Sequence, residues 1–162
     1  MTLLYQDPIF LEHDTGSHPE CAQRLRAVSD HLAATGLDQR CGCPAWEPVT
    51  SKWLAEVHRP EYTAQLERFA RDGGGRIEVD TVMSARSYEV ACRAAGAVCD
   101  AVQRVVGGED RTALCLVRPP GHHARSGAAM GFCLLNNIAL AARVATTELE
   151  VQRVLIVDWD VH

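Results

Sequence analysis

The feature that most constrains the fold is a short apolar run at residues 154–157, Val-Leu-Ile-Val, which leads directly into an acidic segment. An uninterrupted apolar run of this length is typical of a parallel strand that is buried on both faces, so helices must cover both sides of its sheet. If the extended conformation continues, its alternation places Asp158, Asp160 and His162 on one side. Open α/β sheets bind ligands at the carboxyl ends of their strands. The run therefore predicts an α/β fold with metal-competent groups at one edge of the sheet.

Helical and strand patterns alternate along the rest of the chain, which favours an α/β fold over a helical bundle. Further strands are predicted at residues 2–5 and 112–117. Five helices are predicted, at residues 19–32, 51–57, 60–71, between Ser84 and Gly107, and at residues 137–146. Pro19 is expected in the first turn of the first helix, and Gly36 is expected to stop it. Three glycines end the third helix, and Ser84 is expected to cap the long fourth helix, which Gly107 terminates.

Composition predicts one soluble domain over residues 1–162. A chain of 162 residues with 47% hydrophobic content can bury one core. The net charge is −5 and Lys52 is the only lysine, which argues against binding to nucleic acid. The sequence has no signal-peptide pattern and no run of about 18 apolar residues, so a cytoplasmic protein without a membrane span is predicted. The seven cysteines, an odd number without paired zinc-ribbon spacing, are predicted to be reduced thiols.

A second group of polar residues follows the strand predicted at residues 112–117. Pro119, Pro120 and Gly121 break regular structure there, and His122 and His123 come next. A bare His-His pair is most often a surface turn. This pair, however, follows the carboxyl end of a predicted strand, as the acids at residues 158–160 do. This position favours a functional pair of histidines that face one cleft over a surface turn.

Three ordered motifs in this sequence resemble one family. They are Arg118-Pro-Pro-Gly-His-His-Ala, Met130-Gly-Phe-Cys-Leu-Leu-Asn-Asn and Val157-Asp-Trp-Asp-Val-His. In this order they are similar to the histone deacetylase superfamily, which includes bacterial histone-deacetylase-like amidohydrolases and acetylpolyamine amidohydrolases. The resemblance implies a three-layer α/β/α fold with a mainly parallel sheet, related to that of arginase. It also implies a zinc-dependent hydrolase that acts on acetyl-lysine or acetylpolyamine substrates.

The resemblance implies a metal role for each of the three polar residues near the end of the sequence. Asp160 and His162 would be two of three zinc ligands, and carboxylate oxygen and imidazole nitrogen are suitable ligands for zinc. Asp158 would instead form a hydrogen bond with His122 and so orient its imidazole. The main-chain carbonyls of Asp158, Asp160 and His162 would help to hold a potassium ion.

The resemblance also implies which residues carry out the reaction. His123 would be the general base, and His122 its electrostatic partner. Gly131 and Phe132 would line a narrow substrate tunnel, because glycine permits close approach and an aromatic ring packs against an alkyl chain. His18 would lie at the rim, where substrate contact and a simple capping role remain alternatives.

The remaining polar candidates have structural interpretations. Arg118 is expected to form an ion pair near the site with a partner that the sequence does not identify. His31 and His58 are predicted to have surface or packing roles. In the resembling family a further aspartate ligand and a tyrosine lie downstream of the third motif, so the chain is expected to be the amino-terminal half of a catalytic domain and inactive alone. Two alternatives stay open, a non-catalytic binding or structural protein on this scaffold and an arginase-like metallohydrolase.

Overall fold

A computed structural model describes residues 1–161 of the chain. It contains five strands and five α-helices among these residues. In chain order they are β1 (Thr2–Tyr5), α1 (Ala22–Thr35), β2 (Cys41–Gly42), α2 (Ser51–Ala55), α3 (Pro60–Arg71), β3 (Gly74–Glu78), β4 (Thr81–Ser84), α4 (Ser87–Val106), β5 (Thr112–Cys115) and α5 (Asn137–Thr147). Short 3-10 helices lie at Pro8–Glu12 and Asp38–Arg40.

The main sheet is parallel, as the sequence predicts. Its strand order is β2-β1-β5, and β1 pairs in parallel with both neighbours. Because β1 is central, its residues Leu4 and Tyr5 are almost completely buried. A separate antiparallel hairpin joins β3 to β4. The sheet directs the loop after β5 toward the cleft described below.

Helix α4 lies between two hydrophobic clusters and is the centre of the molecule. Ala91, Ala95 and Cys99 face a cluster that includes residues of α3 and α5. Val90 and Ala94 face a second cluster that includes residues of β1 and the rings of Phe10 and Trp46. Small side chains on both faces let the neighbouring elements approach the helix closely, so α4 fixes the sheet relative to α5.

Most predicted helices are observed, with differences at their ends. Helix α3 has the predicted bounds, and Gly36 ends α1 in the left-handed conformation with φ 66°. The prediction that Pro19 lies in the first turn of α1 is wrong, because the helix begins at Ala22 with Cys21 as its N-cap. The prediction that Ser84 caps α4 is wrong, because Ser84 belongs to β4. The glycines after α3 do more than stop the helix, since Gly74 begins the hairpin.

The predicted strand at residues 154–157 is not formed. The segment has no regular secondary structure, and Leu155 is 86% exposed. Such a run is stable as a strand only when both of its faces are covered, and no described element packs over it. After this run, two local side-chain hydrogen bonds take the place of the expected extended conformation. Asp158 Oδ1 accepts a hydrogen bond from Asp160 N, and Asp160 Oδ1 accepts one from Val161 N. Such local bonds compete with strand geometry.

None of the helices within residues 1–161 combines the length and the apolar character that crossing a bilayer requires.

Candidate active site

The loop between β5 and α5 carries both histidines, and a buried ion pair anchors its start. The Arg118 guanidinium donates from Nε and Nη2 to the two carboxylate oxygens of Glu20, at 2.6 and 2.9 Å. It also donates to the carbonyls of Phe10 and His13. Both members of the pair are almost fully buried, and the fork geometry satisfies both carboxylate oxygens. The ion pair expected for Arg118 is thereby confirmed, with Glu20 as its partner.

His13 extends this network to helix α4. Its Nδ1 lies 2.7 Å from Ser87 Oγ, and its Nε2 lies 3.6 Å from Glu20. Burial lowers the pKa of His13 to about 4, although the Glu20 carboxylate opposes this shift. The imidazole is therefore neutral at physiological pH. Sequence patterns do not indicate that His13 contacts Ser87, because the two residues are 74 positions apart in the chain.

His122, His123 and Asp160 converge at the candidate active site. His122 Nε2 lies 2.9 Å from Asp160 Oδ2, and His123 Nε2 lies 3.7 Å from the same oxygen. One ligand atom from each of the three side chains falls within 4.8 Å of the others. All three side chains are partly open to solvent. Two imidazole nitrogens and a carboxylate oxygen at this separation are a suitable set for a divalent metal ion such as zinc.

The cluster faces a cleft of about 680 Å³. Its lining residues come from four separate parts of the chain: Pro19, Glu20, Arg24, Asp80, Pro120, His122, His123, Gly131, Phe132 and Asp160. Asp80, which is not among the predicted site residues, reaches the cleft from the turn between β3 and β4. His122, His123 and Asp160 thus line the same cleft, although Asp160 lies far from the two histidines in the chain.

Gly131 and Phe132 form one wall of this cleft. Gly131 has φ 55°, and a Cβ at this position would lie 2.6 Å from Cδ2 of His123, so only glycine lets the wall pack on that ring. Phe132 N donates to Thr81 Oγ1 at 3.1 Å, which ties the wall to the hairpin. His18 contacts the Phe132 ring edge to face, with centroids 4.6 Å apart. Phe132 therefore brings His18 to the cleft margin.

Asp158 is not placed where the resemblance implied. Within the described residues Asp160, and not Asp158, contacts His122. The reason is the missing strand: Asp158 bonds the main chain of Asp160, so the alternation that would point both acids to one side is lost. His162 lies outside the described residues.

Cys133 supports the same wall from behind. It is fully buried, and its Sγ donates to the Gly131 carbonyl at 3.2 Å. Burial raises the pKa of the thiol to about 11, so the sulfur keeps its proton. The sequence predicts such cysteines only as small buried groups.

These features place the chain in the class of α/β proteins that carry a metal-competent cleft beside a parallel sheet. A family model described as histone deacetylase domain matches residues 18–162, and the chain belongs to this family.

Individual relatives agree with this assignment. The chain is 43% identical to an uncharacterized protein of Synechocystis sp., over 94% of this chain and 51% of that protein. It is 40% identical to the rat polyamine deacetylase HDAC10, over 88% of this chain and 25% of the relative. It is 37% identical to a histone deacetylase-like amidohydrolase of Pseudomonas aeruginosa, over 89% of this chain and 37% of the relative. The chain thus spans a quarter to about half of these relatives.

A solved structure supports the fold assignment. The HDA15 HD domain superposes with a TM-score of 0.86 at 34% sequence identity, over 91% of this chain and 44% of that domain. The prediction of a mainly parallel α/β sheet of the deacetylase type is confirmed, and the chain corresponds to under half of the structural neighbour.

Proposed function

We propose that the protein containing this chain is a zinc-dependent deacetylase that hydrolyses the acetyl amide of acetyl-lysine or acetylpolyamine substrates. The observation that carries the proposal is the convergence of His122, His123 and Asp160 on a cleft whose wall contains Gly131 and Phe132. The names of the relatives, which include polyamine deacetylase and amidohydrolase, support an acetylated amine as substrate. Because the chain covers only part of each relative, we propose that the complete protein supplies the rest of the site.

The donor atoms of this chain fit a zinc ion. We propose that Asp160 and His162 hold the metal, while His122 and His123, whose Nε2 atoms lie 2.9 and 3.7 Å from the Asp160 carboxylate, serve proton transfer rather than metal binding. When bound, zinc supplies Lewis-acid polarisation of the acetyl carbonyl. Potassium binding by the main-chain carbonyls of Asp158, Asp160 and His162 stays a prediction, as does the cytoplasmic location.

The two histidines have different roles in proton transfer. His123 accepts the proton of the attacking water and passes it to the leaving amine, which an imidazole can do near neutral pH. His122, whose ring is edge-on to His123 with centroids 4.2 Å apart, stabilises the charge that develops on its neighbour. Phe132 packs against the alkyl stem of the substrate. His18, which contacts the Phe132 ring edge to face, lies beside the substrate at the rim of the cleft.

The test separates metal binding from chemistry in the complete protein. We expect one zinc per protein and hydrolysis of an acetyl-lysine peptide or of N-acetylputrescine. Asp160→Asn should weaken zinc binding by at least about tenfold, because it removes an anionic ligand. His123→Ala should retain zinc and lose about 100-fold or more in kcat. His31→Ala, at an exposed position, is the control and should change neither zinc binding nor kcat.

Other results would overturn the proposal. A zinc-loaded complete protein that binds these probes without turnover would be a non-catalytic binding protein. Hydrolysis that requires two manganese ions would indicate an arginase-like enzyme. Unchanged zinc affinity in Asp160→Asn would remove Asp160 from the metal site.

A further inference from the structure

The side chain of His58, in the turn between α2 and α3, is buried against the loop that carries the active-site histidines. Only 1% of its surface is exposed. Its Nδ1 lies 3.0 Å from the carbonyl oxygen of Arg125, and its Nε2 lies 2.9 Å from the main-chain nitrogen of Asn136. One imidazole therefore touches both the outgoing and the returning limb of the loop.

The chemistry of these two contacts determines the tautomer of His58. A carbonyl oxygen can only accept, so Nδ1 must carry the proton that it shares with Arg125. A main-chain N–H can only donate, so Nε2 must present a lone pair to Asn136. The neutral Nδ1–H imidazole satisfies both partners, whereas a protonated ring would break the bond to Asn136. Burial lowers the pKa of His58, which agrees with a neutral ring.

Asn136 connects this contact to His122. Its side-chain Nδ2 donates to the carbonyls of His122 and Ala124, at 3.3 and 3.0 Å. Its Oδ1 accepts from Ala139 N and caps α5. The position of the His122 backbone therefore depends on Asn136, and the position of the Asn136 backbone depends on His58.

Two neighbours of His58 fasten the same two limbs. Arg59 N donates to the Ser126 carbonyl at 2.8 Å, on the outgoing limb. Tyr62 Oη donates to the Leu134 carbonyl at 2.7 Å, on the returning limb. The Tyr62 ring packs beside the imidazole, with centroids 5.6 Å apart. The start of α3 is thus a clamp across the base of the loop.

We propose that His58 is a positioning residue, which closes the base of the loop at Arg125 and Asn136 and thereby holds His122 and His123 in place at the cleft. The part of this inference that concerns turnover rests on the proposed deacetylase function. The part that concerns the loop does not. A sequence-based reading assigns His58 only a surface or packing role, because the two main-chain partners are distant in the sequence.

The first test reads the loop directly, in the complete protein with 15N-labelled histidine. Long-range 1H–15N spectra should show His58 as the neutral Nδ1–H tautomer at neutral pH. His58→Phe keeps an aromatic ring beside Tyr62 and removes both hydrogen bonds. In this variant the Asn136 amide should exchange with solvent about tenfold faster or more, since it loses a buried partner. His31→Phe, at an exposed position of α1, should leave that exchange unchanged.

The second test reads catalysis. His58→Phe should lower kcat by about tenfold or more with KM within about twofold, because a small displacement of a general base affects chemistry more than substrate binding. His58→Asn retains a donor for the Arg125 carbonyl, so its kcat should lie between the kcat of His58→Phe and that of the wild type. An equal change of kcat and KM, or an unchanged kcat, would overturn the positioning role.

The outcomes distinguish the two proposals. A wild-type protein without activity would contradict the deacetylase function, yet the tautomer and the amide exchange would still decide the role of His58. An Nε2–H or protonated His58 at neutral pH would overturn the inference even if His58→Phe failed to fold. Unchanged Asn136 exchange in a folded His58→Phe would also overturn it.

Discussion

At the scale of single residues, the candidate site depends on positions where one atom more would not fit. Gly131 is the clearest case, because it combines a positive φ with direct contact to the His123 ring. Cys133 supports Gly131 from behind, because its sulfur donates a hydrogen bond to the Gly131 carbonyl. The wall of the cleft and the proposed general base are therefore a single packed unit, and a change in one must move the other.

This contact makes Gly131→Ala a sharp test of the site. The new Cβ would lie 2.6 Å from the His123 ring, so we expect the ring to shift and kcat of the complete protein to fall by about tenfold or more. Gly36→Ala is the matched control, since Gly36 has a similar φ of 66° and no atom within 4 Å of the added carbon. Equal losses of activity in both variants would show that backbone strain alone is responsible.

At the scale of elements, an irregular segment before α2, residues 46–49, packs closely against α4. Val49 N donates to the Cys92 carbonyl, and Trp46 Nε1 donates to the Arg93 carbonyl. Gly96 lies where this segment crosses the helix. A Cβ on Gly96 would lie 2.1 Å from the Glu47 carbonyl oxygen, which belongs to the backbone and cannot turn away. The glycine therefore serves packing between elements.

Gly96→Ala tests this packing role, because the role determines whether the substitution raises or lowers the free energy of unfolding. In an ordinary helix interior this change stabilises a protein by roughly 0.5–1 kcal/mol. Here we expect it to lower the free energy of unfolding by about 1–3 kcal/mol, because the segment before α2 must move. Urea unfolding measures the difference, with the exposed Val106→Ala on the same helix as a control. A stabilised Gly96→Ala would contradict the close contact.

At the scale of the whole molecule, the buried group Arg118, Glu20, His13 and Ser87 joins three regions. It connects the loop after β5 with the loop before α1 and with the start of α4. Removing one partner of a buried ion pair typically costs about 3–5 kcal/mol, because the other charge stays buried without compensation. This group holds the His-His loop against the body of the protein.

The network gives the stability a defined pH dependence. Burial lowers the pKa of His13 to about 4, from an ordinary value of 6.5. Between these values the unfolded chain binds a proton that the folded chain excludes, so the free energy of unfolding falls as the pH falls. Each pH unit below the ordinary value removes up to about 1.4 kcal/mol through this group.

Urea unfolding at pH 7 and pH 5 measures this effect. His13→Asn cannot be protonated, so its loss of stability between the two pH values should be about 1–2 kcal/mol smaller than that of the wild type. His31→Asn, at an exposed position, should keep the wild-type dependence. Identical pH dependence in His13→Asn and the wild type would contradict a buried, neutral His13.

Local sequence patterns were sufficient to predict the secondary structure of several short segments. Periodicity and stop signals predicted β1, α3 and α5 closely, because helix and strand formation depend mainly on neighbours in the sequence. The ordered motifs were sufficient to predict the family.

Contacts between distant segments were decided only by the tertiary structure. The strand expected at residues 154–157 is absent because a buried strand requires cover on both faces, which no local pattern supplies. The partner of Arg118, the roles of His13 and His58, and the contact of Asp160 rather than Asp158 with His122 likewise depend on residues far apart in the chain. The sequence by itself determined which chemical groups this protein has, and the packing of its elements decided which of them meet.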